Sequence, residues 1–120
     1  MATESDWFLF ACLVRFDAVY FTHFRCSRRR LVDYPHLWAY ARDLYAWKGV
    51  AAGVDFDAIR AGYYRNDGVH NPFGIVGAAP AADWRTPSGR EVLGPAKVAL
   101  RQGGSRAIDP GCLRPLESAV

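Results

Sequence analysis

The 120-residue sequence predicts an all-α fold of about three helices followed by an irregular tail. Three observations carry that expectation. Apolar residues recur at helical spacing in three separate stretches, each with its own start signal. No stretch alternates polar and apolar residues as a half-buried strand would. From Gly77 onward the pattern dissolves into Pro-, Gly-, Ala- and Arg-rich sequence with no sustained period.

The first helix opens on Thr3, with Asp6 placed three residues later to form a capping box, Asp standing in for the usual Glu or Gln. It is expected to run to about Thr22. Leu9, Leu13, Phe16, Tyr20 and Phe24 make one apolar row, and Trp7, Ala11 and Ala18 with Phe10, Val14 and Phe21 make another. A helix apolar nearly all round needs neighbours on every side. Two further helices cannot surround it, so the sequence reads either as a chain that associates or as a piece of a larger domain. Arg15 and Asp17 interrupt the run. Charges in such a place are paired or hydrogen-bonded to a neighbouring loop, a structural reading that stands ahead of acid–base chemistry.

The second helix starts at Asp33, Tyr34 and Pro35, with the proline in the first turn, where a missing N–H costs nothing. Leu37, Tyr40, Ala41, Leu44 and Trp47 share one stripe, and Gly49 supplies the stop. Asp55 caps a third helix from Phe56 to about Arg65, with Phe56, Ile59 and Tyr63 on one face. NDGVHNPFG, from Asn66, is turn chemistry. The predicted division is therefore a helical part, 1–76, and an irregular, largely disordered tail, 77–120. A weak helix from Glu91 to Leu100 is opposed by Gly94 and Pro95.

Composition narrows the function. Half the residues are hydrophobic and the net charge is +3, enough for a core but only mildly basic. The dense cluster Arg25, Arg28, Arg29 and Arg30 has no interleaved aromatics, so it reads as a solvated connector and no nucleic-acid partner is expected. Cys12, Cys26 and Cys112 are odd in number and lack paired spacing, which excludes a disulfide framework and points to a reducing cytoplasm. Cys12 reads as a small buried hydrophobe and Cys112 as a free surface thiol. Cys26 follows a helix C-terminus, which disfavours a thiolate despite the arginines beside it. His23, His36 and His70 share no ligand spacing, so no metal is expected. The start lacks a basic leader with a cleavage site. The longest apolar run, Trp7 to Val14, falls far short of the roughly 20 residues of a membrane span, so no membrane is expected.

The strings DWFLFACLVRFDAVYFTHFRCSRRRLVDYPHLWAYARDLY, GVAAGVDFDAIRAGYYR and HNPFGIVG follow one another collinearly over roughly residues 3 to 80. They resemble the glutathionyl-hydroquinone reductases, the Xi class of glutathione transferases. The resemblance implies part of a C-terminal helical domain from a two-domain enzyme. A thioredoxin-like domain of that enzyme carries the catalytic Cys and binds glutathione as co-substrate. No C-P-x-x or C-x-x-C motif stands on a βαβ pattern in these 120 residues, so no catalytic and no glutathione-binding residue is expected here, and the chain alone is expected to be inactive.

The resemblance further implies that Tyr20, in R-F-D-x-V-Y, and the Tyr63–Tyr64 pair, in H-Y-Y, line a hydrophobic pocket for an aromatic hydroquinone. A phenol suits such a pocket, because its hydroxyl can donate to a quinol oxygen while its ring packs on the substrate. Read from the helices alone, Tyr20 is a core residue with a satisfied hydroxyl; the resemblance sets the pocket reading level with it. Tyr63 and Tyr64 point about 100° apart; Tyr63 lies on the Phe56–Ile59 face and reads as core, which leaves Tyr64 as the preferred pocket residue. The sequence departs from the family at Gly62, in place of His, and at Asn66–Asp67, in place of Ser–His. Dimerisation through the helical domain is implied too, and a non-catalytic interaction module is the alternative function.

Overall fold

The computed structural model describes residues 2–93. Within them the order is helix α1 (Glu4–Arg15), a π-helical turn (Phe16–Tyr20), a single α turn (Phe21–His23), helix α2 (Pro35–Tyr45) and helix α3 (Phe56–Asn66), with short 3-10 turns between and after them. No strand occurs among the described residues.

Each start signal is realised. The Thr3 amide and hydroxyl both donate to the Asp6 carboxylate, each at 2.7 Å, and fix the first turn of α1. Pro35 opens α2, and Asp55 accepts from the Ala58 amide at 2.9 Å to cap α3. Gly49, with φ +87°, turns the chain away after α2 in a conformation that favours glycine. The first helical run continues to His23 as expected, but not as one α-helix. The Phe21 amide bonds back to the Phe16 carbonyl, one residue further than α geometry requires. This π turn rotates every later side chain relative to α1.

Two clusters hold the fold. Phe10, Leu13 and Val14 of α1 meet Leu31, Ala41, Leu44, Tyr45 and Trp84 in the larger one. Ala18 and Val19 of the π turn meet Tyr64 of α3 in the smaller, with Tyr20, Ile59, Tyr63 and Val76 packed around it. Asp17 is buried between the two, and its carboxylate accepts from the Leu31 and Val32 amides at 2.5 and 3.2 Å. The expected hydrogen bonds to a neighbouring loop are therefore present. Arg15 instead turns onto its own helix and donates to the Ala11 carbonyl.

The boundary at residue 76 separates helical from irregular chain but not core from periphery. Residues 77–89 form no helix, yet Trp84 is only 8% exposed. Its ring sits against Trp38, Tyr45, Phe56 and Phe10, with centroids 4.8 to 6.4 Å apart. Arg42 stacks on Trp38 and donates to the Pro87 carbonyl at 3.1 Å, clamping the segment down. This stretch belongs to the core. The expected disorder of the far tail, the possible helix beyond Leu93 and Cys112 lie outside the described residues.

The all-round apolarity of α1 is only partly covered. Phe10, Leu13 and Val14 are buried, whereas Phe8 is 70% and Leu9 45% exposed, with Ala11 beside them. Cys12 lies on that bare side, so it is exposed rather than the buried hydrophobe expected from the sequence.

Candidate functional site

The π turn and α3 cross so that their aromatic side chains converge. Tyr20 and Tyr63 bring their hydroxyls to 3.0 Å of each other, with the rings edge to face at 5.5 Å. Phe24 closes the group, its ring 5.5 Å from Tyr20 and 6.4 Å from Tyr63. Burial, then the neighbouring Tyr63 hydroxyl, pushes the Tyr20 phenol up to about 12. Tyr20 therefore stays protonated at neutral pH, and its hydroxyl can donate or accept a hydrogen bond. Tyr63 also edges an open depression of about 380 Å³ lined by Arg15, Ala58, Ile59 and Gly62. At Gly62 a Cβ would meet nothing within 4 Å.

Tyr64 lies deeper in the structure than Tyr63 does. It is 6% exposed and packs on Ala18 and Val19, while Tyr63 is half-buried and paired with Tyr20. The reason is Arg60. Its side chain is mostly buried, with the guanidinium donating to the Gly77 carbonyl and to Asp57. The Phe56–Arg60–Tyr64 row thus faces inward. A charged residue in that row makes it look solvent-facing in the sequence.

A second constellation joins elements that sequence spacing keeps apart. Asp67 follows α3 and accepts the Val69 and His70 amides on Oδ1, each at 3.2 Å, in an Asx turn. Its Oδ2 accepts from the His23 Nε2–H at 2.9 Å and from the His70 Nδ1–H at 2.7 Å. The His23 hydrogen bond, then the His70 amide, hold the Asp67 carboxyl far below the ordinary carboxylate range. Asn71 ties the loop back to α3 by donating to the Tyr64 and Ile75 carbonyls at 2.7 and 2.8 Å. The His23 side chain is 1% exposed and that of His70 47%. His23 and His70 do stand in separate elements, yet their ligand atoms and that of Asp67 all lie within 4.8 Å of one another. Sequence offered only the Asp67–His70 spacing as a signal, because His23 comes from a helix 44 residues away.

A larger cavity, about 430 Å³, lies between Tyr45, Phe56, Arg60 and Trp84, and none of the three sequence-predicted tyrosines lines it. Cys26 is exposed near the end of the first helical run, beside Arg25, which holds φ +57°. Among the described residues no helix is long and apolar enough to cross a membrane.

The described residues have the fold of part of a glutathione transferase helical domain. They superpose on the glutathione-bound structure of YqjG, a glutathione transferase homologue from Escherichia coli K-12, with a TM-score of 0.75 and 44% identity over 78% of this chain and 30% of that one. They superpose equally on a Xi class glutathione transferase from Natrialba magadii, with a TM-score of 0.75 and 41% identity over 78% and 28% of the two chains. In sequence the chain is similar to the glutathionyl-hydroquinone reductases. It is 46% identical over 90 residues to YqjG of Escherichia coli, 75% of this chain and 27% of the relative. It is 43% identical over 79 residues to PcpF of Sphingobium chlorophenolicum, 66% and 25% of the two. The chain spans about a quarter of the length of these curated relatives. No family model matches it.

Proposed function

We propose that these residues form part of the hydroquinone pocket of a cytoplasmic, glutathione-dependent glutathionyl-hydroquinone reductase. The observation that carries the reading is the Tyr20–Tyr63 hydroxyl pair, 3.0 Å apart, packed against Phe24, with Tyr63 at the edge of an open depression. Two converging phenols suit the two requirements of a quinol: an aromatic wall and hydrogen bonds to ring oxygens. Tyr64, buried behind them, supports the wall rather than touching the substrate. In this reading the attacking thiolate and the glutathione site come from residues other than these 120, and the isolated chain gives no turnover.

The test is a chimaera in which residues 3–80 replace the matching segment of the Escherichia coli reductase. Glutathionyl-hydroquinone reduction is expected to persist. Tyr20→Phe and Tyr63→Phe in the chimaera are each expected to lower kcat/KM by roughly tenfold, the worth of one hydrogen bond of about 1.4 kcal/mol. Unchanged kcat/KM in both variants would remove the pair from the pocket.

A second reading rests on the bare side of α1, where Phe8, Leu9 and Cys12 stand exposed. A helix face of that kind is covered in an assembly, either by another part of a longer enzyme or by a second copy. A discrete dimer of the 120-residue chain, lost in Phe8→Asp, would favour a dimerisation module.

A further inference from the structure

We infer that His23, Asp67 and His70 form a binding site for a divalent late-first-row metal ion, Zn²⁺ in the first instance. Three donors reach it from two places in the fold: His23 from the end of the first helical run, Asp67 and His70 from the loop after α3. Their ligand atoms lie within 4.8 Å of one another, and one carboxylate oxygen already receives both imidazoles at 2.9 and 2.7 Å. In a tetrahedral zinc site neighbouring donors are roughly 3.4 Å apart, given ligand distances near 2.1 Å. Reaching that spacing lengthens the two carboxylate contacts by about 0.5 and 0.7 Å. The half-exposed His70 is free to make that adjustment, while buried His23 is the fixed point.

The protonation states fit as well. Each histidine places one ring nitrogen at the carboxylate, and in the neutral ring the proton can sit on either nitrogen. When a metal enters, each of these two protons moves to the other nitrogen of its ring, leaving both facing lone pairs to the ion. Two imidazoles and one carboxylate favour zinc, cobalt, nickel or copper over magnesium or calcium, which take all-oxygen shells. The fourth position faces a cleft of about 300 Å³ lined by Thr22, Arg25, Tyr64 and Asn71, which leaves room for water. Arg25 on that rim opposes a bare cation and suits an anionic fourth ligand such as hydroxide. A bound ion would tie the loop after α3 to the end of the first helical run.

The experiment is calorimetric titration of Zn²⁺ into the full 120-residue chain carrying Cys12→Ser, Cys26→Ser and Cys112→Ser, which removes competing thiols. Cobalt absorption is the second readout. One ion per chain and a cobalt ligand-field band are expected. His70→Ala and Asp67→Asn are each expected to weaken binding at least about a hundredfold, since even outer-shell partners are worth 10 to 100-fold. His36→Ala, at the exposed start of α2, is expected to leave it unchanged. His70 is half exposed, so the His70→Ala chain keeps its helical circular dichroism, and it decides the matter should Asp67→Asn disturb the loop. Stoichiometric binding that survives His70→Ala, or only non-stoichiometric uptake by the chain with all three donors in place, would overturn the site and leave a plain hydrogen-bonded lock.

Discussion

The two clusters of this fold bury different chemistry. The larger joins α1 to α2 and Trp84 through rings and aliphatic chains. The smaller joins the π turn to α3 through Ala18, Val19 and Tyr64, and two of the residues packed around it, Tyr20 and Tyr63, end in hydroxyls. Next to it His23 and Asp67 add a buried imidazole and a carboxylate. A small apolar nucleus with many paired polar tips is a poor way to gain stability, because hydrogen bonds return only about 1 kcal/mol each once water is displaced. It is a good way to fix donor positions. The comparison assigns stability to the first cluster and positioning to the second, and each half of that division can be broken.

The largest expected effect is on Trp84. Removing its ring in Trp84→Ala empties the meeting point of four aromatic partners, and losses of about 3–5 kcal/mol are typical of such buried truncations. Urea unfolding followed by circular dichroism should show it as a much lower midpoint or no cooperative transition. A change below about 1 kcal/mol would mean that the 77–93 segment lies on the core without holding it.

Next comes Asp17, at the seam. Asp17→Ala leaves the Leu31 and Val32 amides without their acceptor in a buried place, and unsatisfied groups of this kind cost about 1–3 kcal/mol each. The expected loss is comparable to that of a core truncation, although no apolar contact is removed. Asp17→Asn should recover only part of it, since the amide presents one acceptor oxygen where the carboxylate uses both.

How far this division could be read from the sequence follows the same line. Local devices were legible: the Thr3–Asp6 box, Pro35 and the Asp55 cap are decided within a few residues of each side chain, and a charge inside an apolar helix signals that Asp17 must meet a partner. The family resemblance added the glutathione transferase fold. What stayed hidden depended on long-range geometry. The π turn shifts Tyr20 and His23 out of the 3.6-residue register set by α1. Trp84 looks like one aromatic in a Pro- and Ala-rich stretch, because its partners are 28 or more residues away. Tyr64 lies deeper than Tyr63 because its row faces inward, with Arg60 one turn before it donating to the Gly77 carbonyl and to Asp57.

A smaller effect is expected at the tyrosine pair. Tyr63→Phe removes one hydroxyl contact from a half-buried place and should cost about 1 kcal/mol or less in urea unfolding. Its clearer signature is spectroscopic. With its partner gone, Tyr20 loses one of the causes that raise its phenol to about 12, so its ultraviolet ionisation should move back toward 10. An unmoved titration would separate the two rings in solution and weaken the claim that the second cluster exists to hold hydroxyls in place.

The smallest effect tests the exception within the first cluster, where one polar contact does appear. The Tyr40 hydroxyl on α2 donates to Asp6 in the first turn of α1. That bond, then those from the Thr3 amide and hydroxyl, lower the Asp6 carboxyl to about 2, while burial and the same Asp6 contact raise Tyr40 to about 12. Asp6 is depressed relative to the unfolded chain, so its contribution is complete above about pH 4 and is lost as pH falls through 2. Tyr40 is raised, so its contribution is complete below about pH 10 and is lost as pH rises through 12. Between those limits Tyr40→Phe should lower the unfolding midpoint by the same small amount at every pH, and outside them the wild type and the variant should converge. Exposure and salt screen the contact, so the difference should also shrink in added salt. A wild-type advantage that persists at pH 1.5 would mean that the ring of Tyr40, and not its hydroxyl, joins the two helices, and the first cluster would then be apolar in its energetics throughout.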